Sequence, residues 1–386
     1  MRLVCADCSA DAGDGPVDGP TEWLCVRCGG TLTPSVERFD DWSRAVTDVA
    51  GVGRYAALLP VAQPDHLVSS AEALVPLDSP RLAAALGVAS VRVLPQTRNT
   101  TGTFKDNEGV LLAAKCREWG LSAVCMHSSG NTARAYQFYM DRAGVTCTGF
   151  VPQASAYKCP TALLGTSPII AVPGNMADAA EVAAAYSKDT GALRLTPSQW
   201  KIEGKAPLGL ALAEHCPGAS VIAVTIASGY GPLGIERGIQ RARAAGLRSV
   251  GQHTFRLFQA RDAALLGAAV RDGRAEIDLA EMVAPEHAFE PTLQSTNPNR
   301  TLPLMRRLLE QTGSRIDPVP DVRVEAEAHL LAQVCDELGA PLEYATEKSA
   351  FICWAGLRQA AEQGELSQHD DVVMILSGSA PQDRLP

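Results

Sequence analysis

Asn99-Thr100-Thr101-Gly102-Thr103-Phe104-Lys105-Asp106 is the stretch on which the reading of this chain turns. Lys105 follows a Gly/Thr turn and opens an apolar helical pattern through Val110, Leu111, Leu112 and Ala113. At a helix N-terminus the macrodipole disfavours a cation. A lysine there gives up its proton more readily, and an uncharged amine forms a Schiff base with a carbonyl. A solvated first-turn lysine has the same eight letters, so the octet does not decide alone. The remainder of the chain has to.

Composition narrows the field. A chain of 386 residues has room for two or three domains and a substantial core. Charged residues make up 20% and hydrophobic ones 46%, as in ordinary globular proteins. The net charge of -9 is spread without a basic run, which argues against nucleic acid or an anionic membrane as partner. No apolar run reaches the roughly 18 residues of a membrane span. Met1-Arg2-Leu3-Val4-Cys5 is broken by charge and cysteine and does not read as a signal peptide. The 11 cysteines then read as reduced thiols or metal ligands, and a cytoplasmic protein is expected.

Four of those cysteines form two CxxC knuckles, Cys5-Ala6-Asp7-Cys8 and Cys25-Val26-Arg27-Cys28, the second followed by Gly29-Gly30. This spacing suits four thiolates around one zinc, a closed and therefore structural site. Metal would supply much of the stability of so short a segment. Four unrelated buried cysteines are the other reading. The remaining seven, Cys116, Cys125, Cys147, Cys159, Cys216, Cys335 and Cys353, stand alone in mostly apolar surroundings and read as core.

Beyond the knuckles, strand and helix patterns alternate. Strands are expected at Val91–Leu94, Leu121–Met126, Val145–Val151, Pro168–Val172, Val221–Ile226 and Val372–Leu376. Helices are expected from about Lys105 to Trp119, ended by Gly120, and near 177–186, 208–215, 326–338 and 350–362. Residues 287–323 carry many Pro and Asn and give no clear pattern. The alternation implies parallel sheets covered on both faces, with ligands at the carboxyl ends of strands.

Three polar loops fall at such ends. Gly229-Tyr230-Gly231-Pro232-Leu233-Gly234 can aim N–H groups at a phosphate before a helix, or be a plain tight turn. It lacks the Lys-Ser/Thr tail of a nucleotide P-loop. Ser128-Ser129-Gly130-Asn131-Thr132 offers hydroxyls and N–H groups suited to a carboxylate, or simply caps a helix. Ser377-Gly378-Ser379 follows the last strand.

Taken together these residues resemble the fold-type II pyridoxal phosphate enzymes, and among them the threonine synthases. Asn99–Asp106 is similar to that family's Asn-Pro-Thr-Gly-Ser-Phe-Lys-Asp-Arg-Gly motif, and Ser128–Thr132 is identical to its Ser-Ser-Gly-Asn-Thr loop. Gly229–Gly234 resembles its phosphate loop, Glu203-Gly204-Lys205 its Glu-Gly segment, and Ser377-Gly378 its closing Ser/Thr-Gly. The paired CxxC ribbon resembles one at the front of many threonine synthase homologues. The resemblance implies two open parallel-sheet α/β domains with the cofactor between them. The boundaries it implies are a zinc-ribbon-like segment over 1–35, an N-terminal part of the catalytic unit over 36–90, a smaller α/β domain over 91–190 and a larger one over 191–386.

Residue by residue, the resemblance implies that Lys105 carries pyridoxal phosphate as a Schiff base and moves protons at substrate carbons. It places the cofactor phosphate on Gly229, Tyr230, Gly231, Pro232 and Leu233, its ring hydroxyl on Asn131 and its pyridine nitrogen on Ser377. The substrate would meet Thr103, Ser128, Ser129, Thr132 and Arg134. The implied reaction is γ-elimination from O-phosphohomoserine and addition of water at Cβ. The implied partner is a small anionic amino acid, and the implied assembly a homodimer. The chain departs from the pattern in several places, the first being Thr100 where the motif has proline after Asn99. Lys105-Asp106-Asn107-Glu108-Gly109 stands for Lys-Asp-Arg-Gly, which reads as an amide in place of a guanidinium plus one inserted residue. Ser70-Ala71-Glu72-Ala73-Leu74-Val75-Pro76-Leu77 stands for the leading Gly-Glu-Gly-x-Thr-Pro-Leu. Arg98 and Arg134 read either as surface charge or as ligands for a different anionic side chain. These departures admit two alternatives: a β- or γ-replacement synthase of the cysteate synthase kind, or a non-catalytic homologue whose ribbon binds a partner.

Overall fold

The computed structural model describes residues 3–5, 8–13, 25–28, 32–159, 165–195, 199–247, 251–282, 288–293, 295 and 297–379. Its strands are β1 (Leu3–Cys5), β2 (Asp11–Gly13), β3 (Leu32–Pro34), β4 (Leu77–Asp78), β5 (Ser90–Leu94), β6 (Ala123–His127) and β7 (Thr146–Pro152). They continue with β8 (Ile169–Val172), β9 (Leu193–Arg194), β10 (Val221–Thr225), β11 (Thr254–Ala260), β12 (Arg315–Val319) and β13 (Asp371–Ile375).

They build three sheets: a small antiparallel ribbon β2-β1-β3, a six-stranded sheet β12-β11-β10-β13-β5-β4, and a four-stranded sheet β8-β7-β6-β9. Apart from β4, every pairing in the two larger sheets is parallel. The sequence explains why. Val221-Ile222-Ala223-Val224-Thr225 is buried at every position, the mark of a strand covered on both faces. One apolar core lies to each side of the six-stranded sheet, with Ile222 and Val224 facing the first and Val221 and Ala223 the second.

One expected boundary is corrected. Residues 91–190 were expected to form the smaller unit, yet β5 pairs with β13 in the six-stranded sheet, Val91 opposite Val372. The four-stranded sheet is closed by β9, beyond residue 190. The chain therefore leaves the large sheet after β5 and returns after β9, and Lys105 stands on the outward crossing. Of the strands that escaped the sequence reading, β11 and β12 are the longest. Strand β11 interrupts its apolar run with Arg256 and Gln259, both buried. Arg256 is balanced by Asp317 and Glu365, while Gln259 accepts from the Gly267 N–H at 2.9 Å. Within the Pro-rich 287–323 region lie the helix Leu302–Thr312, with Pro303 in its first turn, and β12.

Glycine permits a close approach between two helices. The helices Ala206–His215 and Tyr230–Ala244 cross at Gly209 and Gly238. A Cβ at Gly209 would collide with the Ile235 carbonyl, and one at Gly238 with the Ala206 carbonyl. A third contact, Gly234 against Ile202 and the Lys205 stem, seats the second helix on the segment before the first. At the other end of the large sheet, Ala71 holds φ at 56° where the family motif has glycine. A methyl group there costs about 1–2 kcal/mol. Glu72 offsets it by accepting the Val52 and Ser70 N–H groups at 2.9 and 2.7 Å.

Both of these helices meet at Gly209, so Gly209→Ala should lower stability by about 1–3 kcal/mol. The check is a urea titration: the midpoint should fall while the slope stays the same. An unchanged midpoint would mean that the crossing is looser than described.

Candidate active site

Four loops leave the carboxyl ends of β5, β6, β10 and β13 and converge. The loop after β5 is built on side-chain amides. Asn99 donates to the Gln96 side chain and to the Thr103 carbonyl, both at 2.9 Å, and its own oxygen accepts from the Ala73 N–H at 2.7 Å. Asn107 donates to the same Gln96 oxygen at 2.6 Å. Thr101 donates through both its N–H and its hydroxyl to the Asp106 carboxylate. This loop is then bonded to the end of β13: Phe104 N–H donates to the Ser377 carbonyl at 2.9 Å, the Thr103 hydroxyl to the same oxygen at 3.1 Å, and Thr103 bridges Gly378. Thr103, expected at the substrate, is therefore buried as a tie between two loops.

The helix Lys105–Glu118 runs without interruption from the lysine. It holds no bulge for an inserted residue. Asn107 and Glu108 thus stand in register where the family motif has arginine and glycine. Glu108, one turn after Lys105, places its Oε2 at 3.6 Å from the Lys105 Nζ. The sequence reading placed Lys105 in the field of the macrodipole alone; a carboxylate in fact opposes that field. Lys205 forms a short ion pair with the same oxygen, and Tyr136 donates its hydroxyl to the other. Burial alone would push the Glu108 carboxyl up, but Lys205, Lys105 and Lys201 outweigh it and hold it well below the usual carboxylate range. Burial brings the amine of Lys205 down to about 7 and that of Lys201 down to about 8.

Beyond β10, Gly229 caps the helix Tyr230–Ala244 in the left-handed conformation, φ 82°, and supplies no side-chain cap of its own. The N–H groups of Gly229, Tyr230 and Gly231 precede the first intrahelical bond. Pro232 has no N–H, and the Leu233 N–H lies within reach of an intrahelical partner four residues back. The expected five-residue cradle is thus three donors. A Cβ on Gly231 would lie 3.6 Å from the Phe104 ring, so this anion-seeking end sits beside Lys105.

After β6, the Ser128 hydroxyl oxygen accepts from the N–H groups of Gly130 and Ala133 at 2.9 and 3.1 Å and caps the helix Asn131–Arg142. Thr132 is buried in its first turn and Ser129 half-buried before it. Asn131 donates to the Glu347 carboxylate at 2.9 Å, and its Oδ1 is buried with no partner among the described residues. Arg134 is 1% exposed, which excludes surface charge. Its guanidinium donates to the Lys158 and Ser379 carbonyls at 3.0 and 2.6 Å. It staples two main chains, while its Nε is buried with no hydrogen-bond partner among the described residues.

The sequence reading missed Glu347, Lys158 and Lys201. Glu347 lies against the Gly378 backbone, where a Cβ would be 2.5 Å from its Oε1. It pairs with Lys158 at 3.3 Å, and Lys158 and Arg134 together hold its carboxyl below the usual range despite burial. Lys158 is a lone charge in its segment, and no spacing pattern marks Glu347 beside Lys348 or Lys201 two residues before Glu203. The four knuckle cysteines were legible, and their sulfurs lie within 4.8 Å of one another. Cys5 and Cys28 are 3.4 Å apart and Cys8 and Cys25 3.7 Å, compatible with one shared metal. Gly29-Gly30 lies outside the described residues. The other seven cysteines are all buried, as expected of core.

A lysine, a helix N-terminus and a polar strand end brought together in this way have the chemistry to suit an aldehyde cofactor that bears a phosphate. The family model for pyridoxal-phosphate dependent enzymes matches residues 68–378. The chain belongs to that family. Among curated relatives of this family member, threonine synthase of Methanosarcina acetivorans is 25% identical over 396 residues, covering 99% of this chain and 92% of the relative. Threonine synthase of Halalkalibacterium halodurans is 25% identical over 336 residues, covering 85% and 88%. Among solved structures, maize serine racemase shares the fold with a TM-score of 0.62 at 19% identity, covering 83% and 92%. The residues present fit the family's cofactor: a helix N-terminus opened by Gly229 and Gly231 suits its phosphate, and the unpartnered buried Asn131 oxygen lies beside Glu347. Among the described residues, no helix is long and apolar enough to cross a membrane.

Asp106 sits directly beside the lysine, and Tyr139 has one hydroxyl proton for two carboxylates, Glu72 at 2.9 Å and Asp106 at 3.2 Å. Burial pushes the Asp106 carboxyl up to about 7, against Thr101 hydrogen bonds that favour its charge. In the unfolded chain the group titrates near 3.8. Between those values the folded state binds the extra proton, so this group's contribution to stability falls as pH rises. Asp106→Asn should remove that part of the slope between about pH 4 and pH 7, read by urea unfolding at each pH. An equal slope in variant and parent would contradict the assignment.

Proposed function

We propose that this protein is an amino-acid lyase of the threonine synthase type, removing an anionic γ-leaving group and adding water at Cβ. What carries the reading is the junction at Phe104. Its N–H bonds to Ser377 and its ring adjoins Gly231, so one residue locks Lys105 between the phosphate-binding end and the strand end that would face the cofactor ring. The threonine synthases that match along most of the chain support the same reaction.

Lys105 would bind pyridoxal phosphate, with the N–H groups of Gly229, Tyr230 and Gly231 on its phosphate, Asn131 on its ring hydroxyl and Ser377 at its pyridine nitrogen. The cofactor supplies an electron sink for charge developing at the substrate's α-carbon. Asn131 is held for its task by Glu347, which accepts one of its amide protons. Ser129, Thr132 and the first-turn N–H groups of the helix Asn131–Arg142 would receive the α-carboxylate, with Ser128 fixing the turn. Lys105 would take and return protons at the substrate carbons. A hydroxyl at Ser377 leaves the ring nitrogen less charged than a carboxylate would, which moderates the electron sink. The four clustered thiols would hold a structural zinc and brace a ribbon whose buried hydrophobic cluster is Cys5, Cys25 and Leu32.

Glu108 favours a second reading, since a buried carboxylate beside the reacting amine is foreign to the motif: replacement at Cβ or Cγ of a different anionic amino acid. Wild-type protein with pyridoxal phosphate should absorb at about 410–420 nm and release phosphate from O-phosphohomoserine with formation of threonine. Lys105→Ala should lack both properties. Release from O-phosphoserine alone would select the second reading, and a band that persists in Lys105→Ala would overturn both.

A further inference from the structure

Glu108 and Lys205 are each 0% exposed, and their ion pair lies one helical turn from the Lys105 amine. Burying both charges is costly, and an apolar pair of the same shape is often no less stable. A pair retained at the reacting amine therefore points to an electrostatic use. The packing around it is tight: a Cβ on Gly204 would lie 2.5 Å from the Glu108 Cα. Phe104 shields the cluster, with Lys205 Nζ 4.7 Å and Lys105 Nζ 5.1 Å from its ring centre.

We propose that Glu108 and Lys205 form a built charge pair that sets the protonation of the Lys105 nitrogen once that nitrogen carries the cofactor. The inference rests on Lys105 being the cofactor lysine, as read above. Glu108 is a positioning residue: its negative charge stabilises positive charge on the neighbouring nitrogen, and Lys205 fixes the carboxylate while moderating its field. The other groups facing the cluster are Tyr136 from the helix Asn131–Arg142, Lys201 from the helix Gln199–Glu203 at 3.9 Å from Oε1, and Tyr230 from the helix Tyr230–Ala244. Arg300 adds positive charge felt by Lys201 and Tyr230. Glu108 is the carboxylate among them, so without it the nitrogen faces cations and neutral hydroxyls. Lys205, buried and stripped of its counter-ion, then sheds its own proton and returns only part of the lost balance.

The test is a pH titration of absorbance on the loaded protein, following the loss of the band at about 410–420 nm. Glu108→Gln keeps the shape and should lower the midpoint by about one to three pH units. Lys205→Met removes the opposite charge and should leave the midpoint in place or raise it. A Glu108→Gln midpoint equal to or above that of wild type overturns the proposal. So does a fall of similar size in both variants, since that would report disturbed packing and not charge. If Glu108→Gln fails to load, Glu108→Asp must load and titrate near wild type; failure of both overturns the proposal as well. A Lys105→Ala protein that keeps the band would instead defeat the underlying reading.

Discussion

A main-chain hydrogen bond from Phe104 N–H to the Ser377 carbonyl holds the active site together. It joins the loop that leaves the large sheet after β5 to the loop that ends β13, and these two strands are neighbours in register. The bond is short-range, but its consequence is long-range: Lys105 is fixed against a strand end that lies more than half the chain away in sequence. Asn99 and Gln96 stiffen the loop from beneath, and Thr103 adds a second bond to the same carbonyl. The helix Tyr230–Ala244 is brought to the same place by glycine contacts that admit no side chain.

Much of this was legible in the sequence because backbone chemistry leaves regular marks. A lysine behind a Gly/Thr turn, a Ser-Ser-Gly-Asn-Thr loop and a glycine-rich helix start each follow an apolar strand, and parallel sheets gather strand ends on one side. Strand β11 was hidden because Arg256 and Gln259 break its apolar run, their partners lying in other segments. Glu347, Lys158 and Lys201 were invisible for a related reason. Their meaning comes from charges far along the chain, as with Lys158 between Glu290 and Glu347, and a single sequence carries no spacing rule for such pairs. Arg134 shows the converse: no mark in its sequence context announces the two main-chain carbonyls that its guanidinium bonds.

The departure at Asn107 and Glu108 divides into two. Asn107 belongs to the scaffold, sharing the Gln96 oxygen with Asn99. Glu108 belongs to the electrostatics, where it balances Lys205 and adjoins Lys105. Read from sequence, the two looked like one altered motif with an extra residue. The uninterrupted helix separates them: the amide preserves the lysine's position, and the carboxylate alters its field.

The account stands on one nitrogen among three neighbouring lysines. Reduction of the loaded protein with borohydride fixes the cofactor covalently to whichever lysine holds it, and peptide mass mapping then reads the position. The cofactor mass is expected on the peptide containing Lys105, with Lys201 and Lys205 unmodified. Its appearance on Lys201 or Lys205, or its absence from every lysine, would contradict the central assignment.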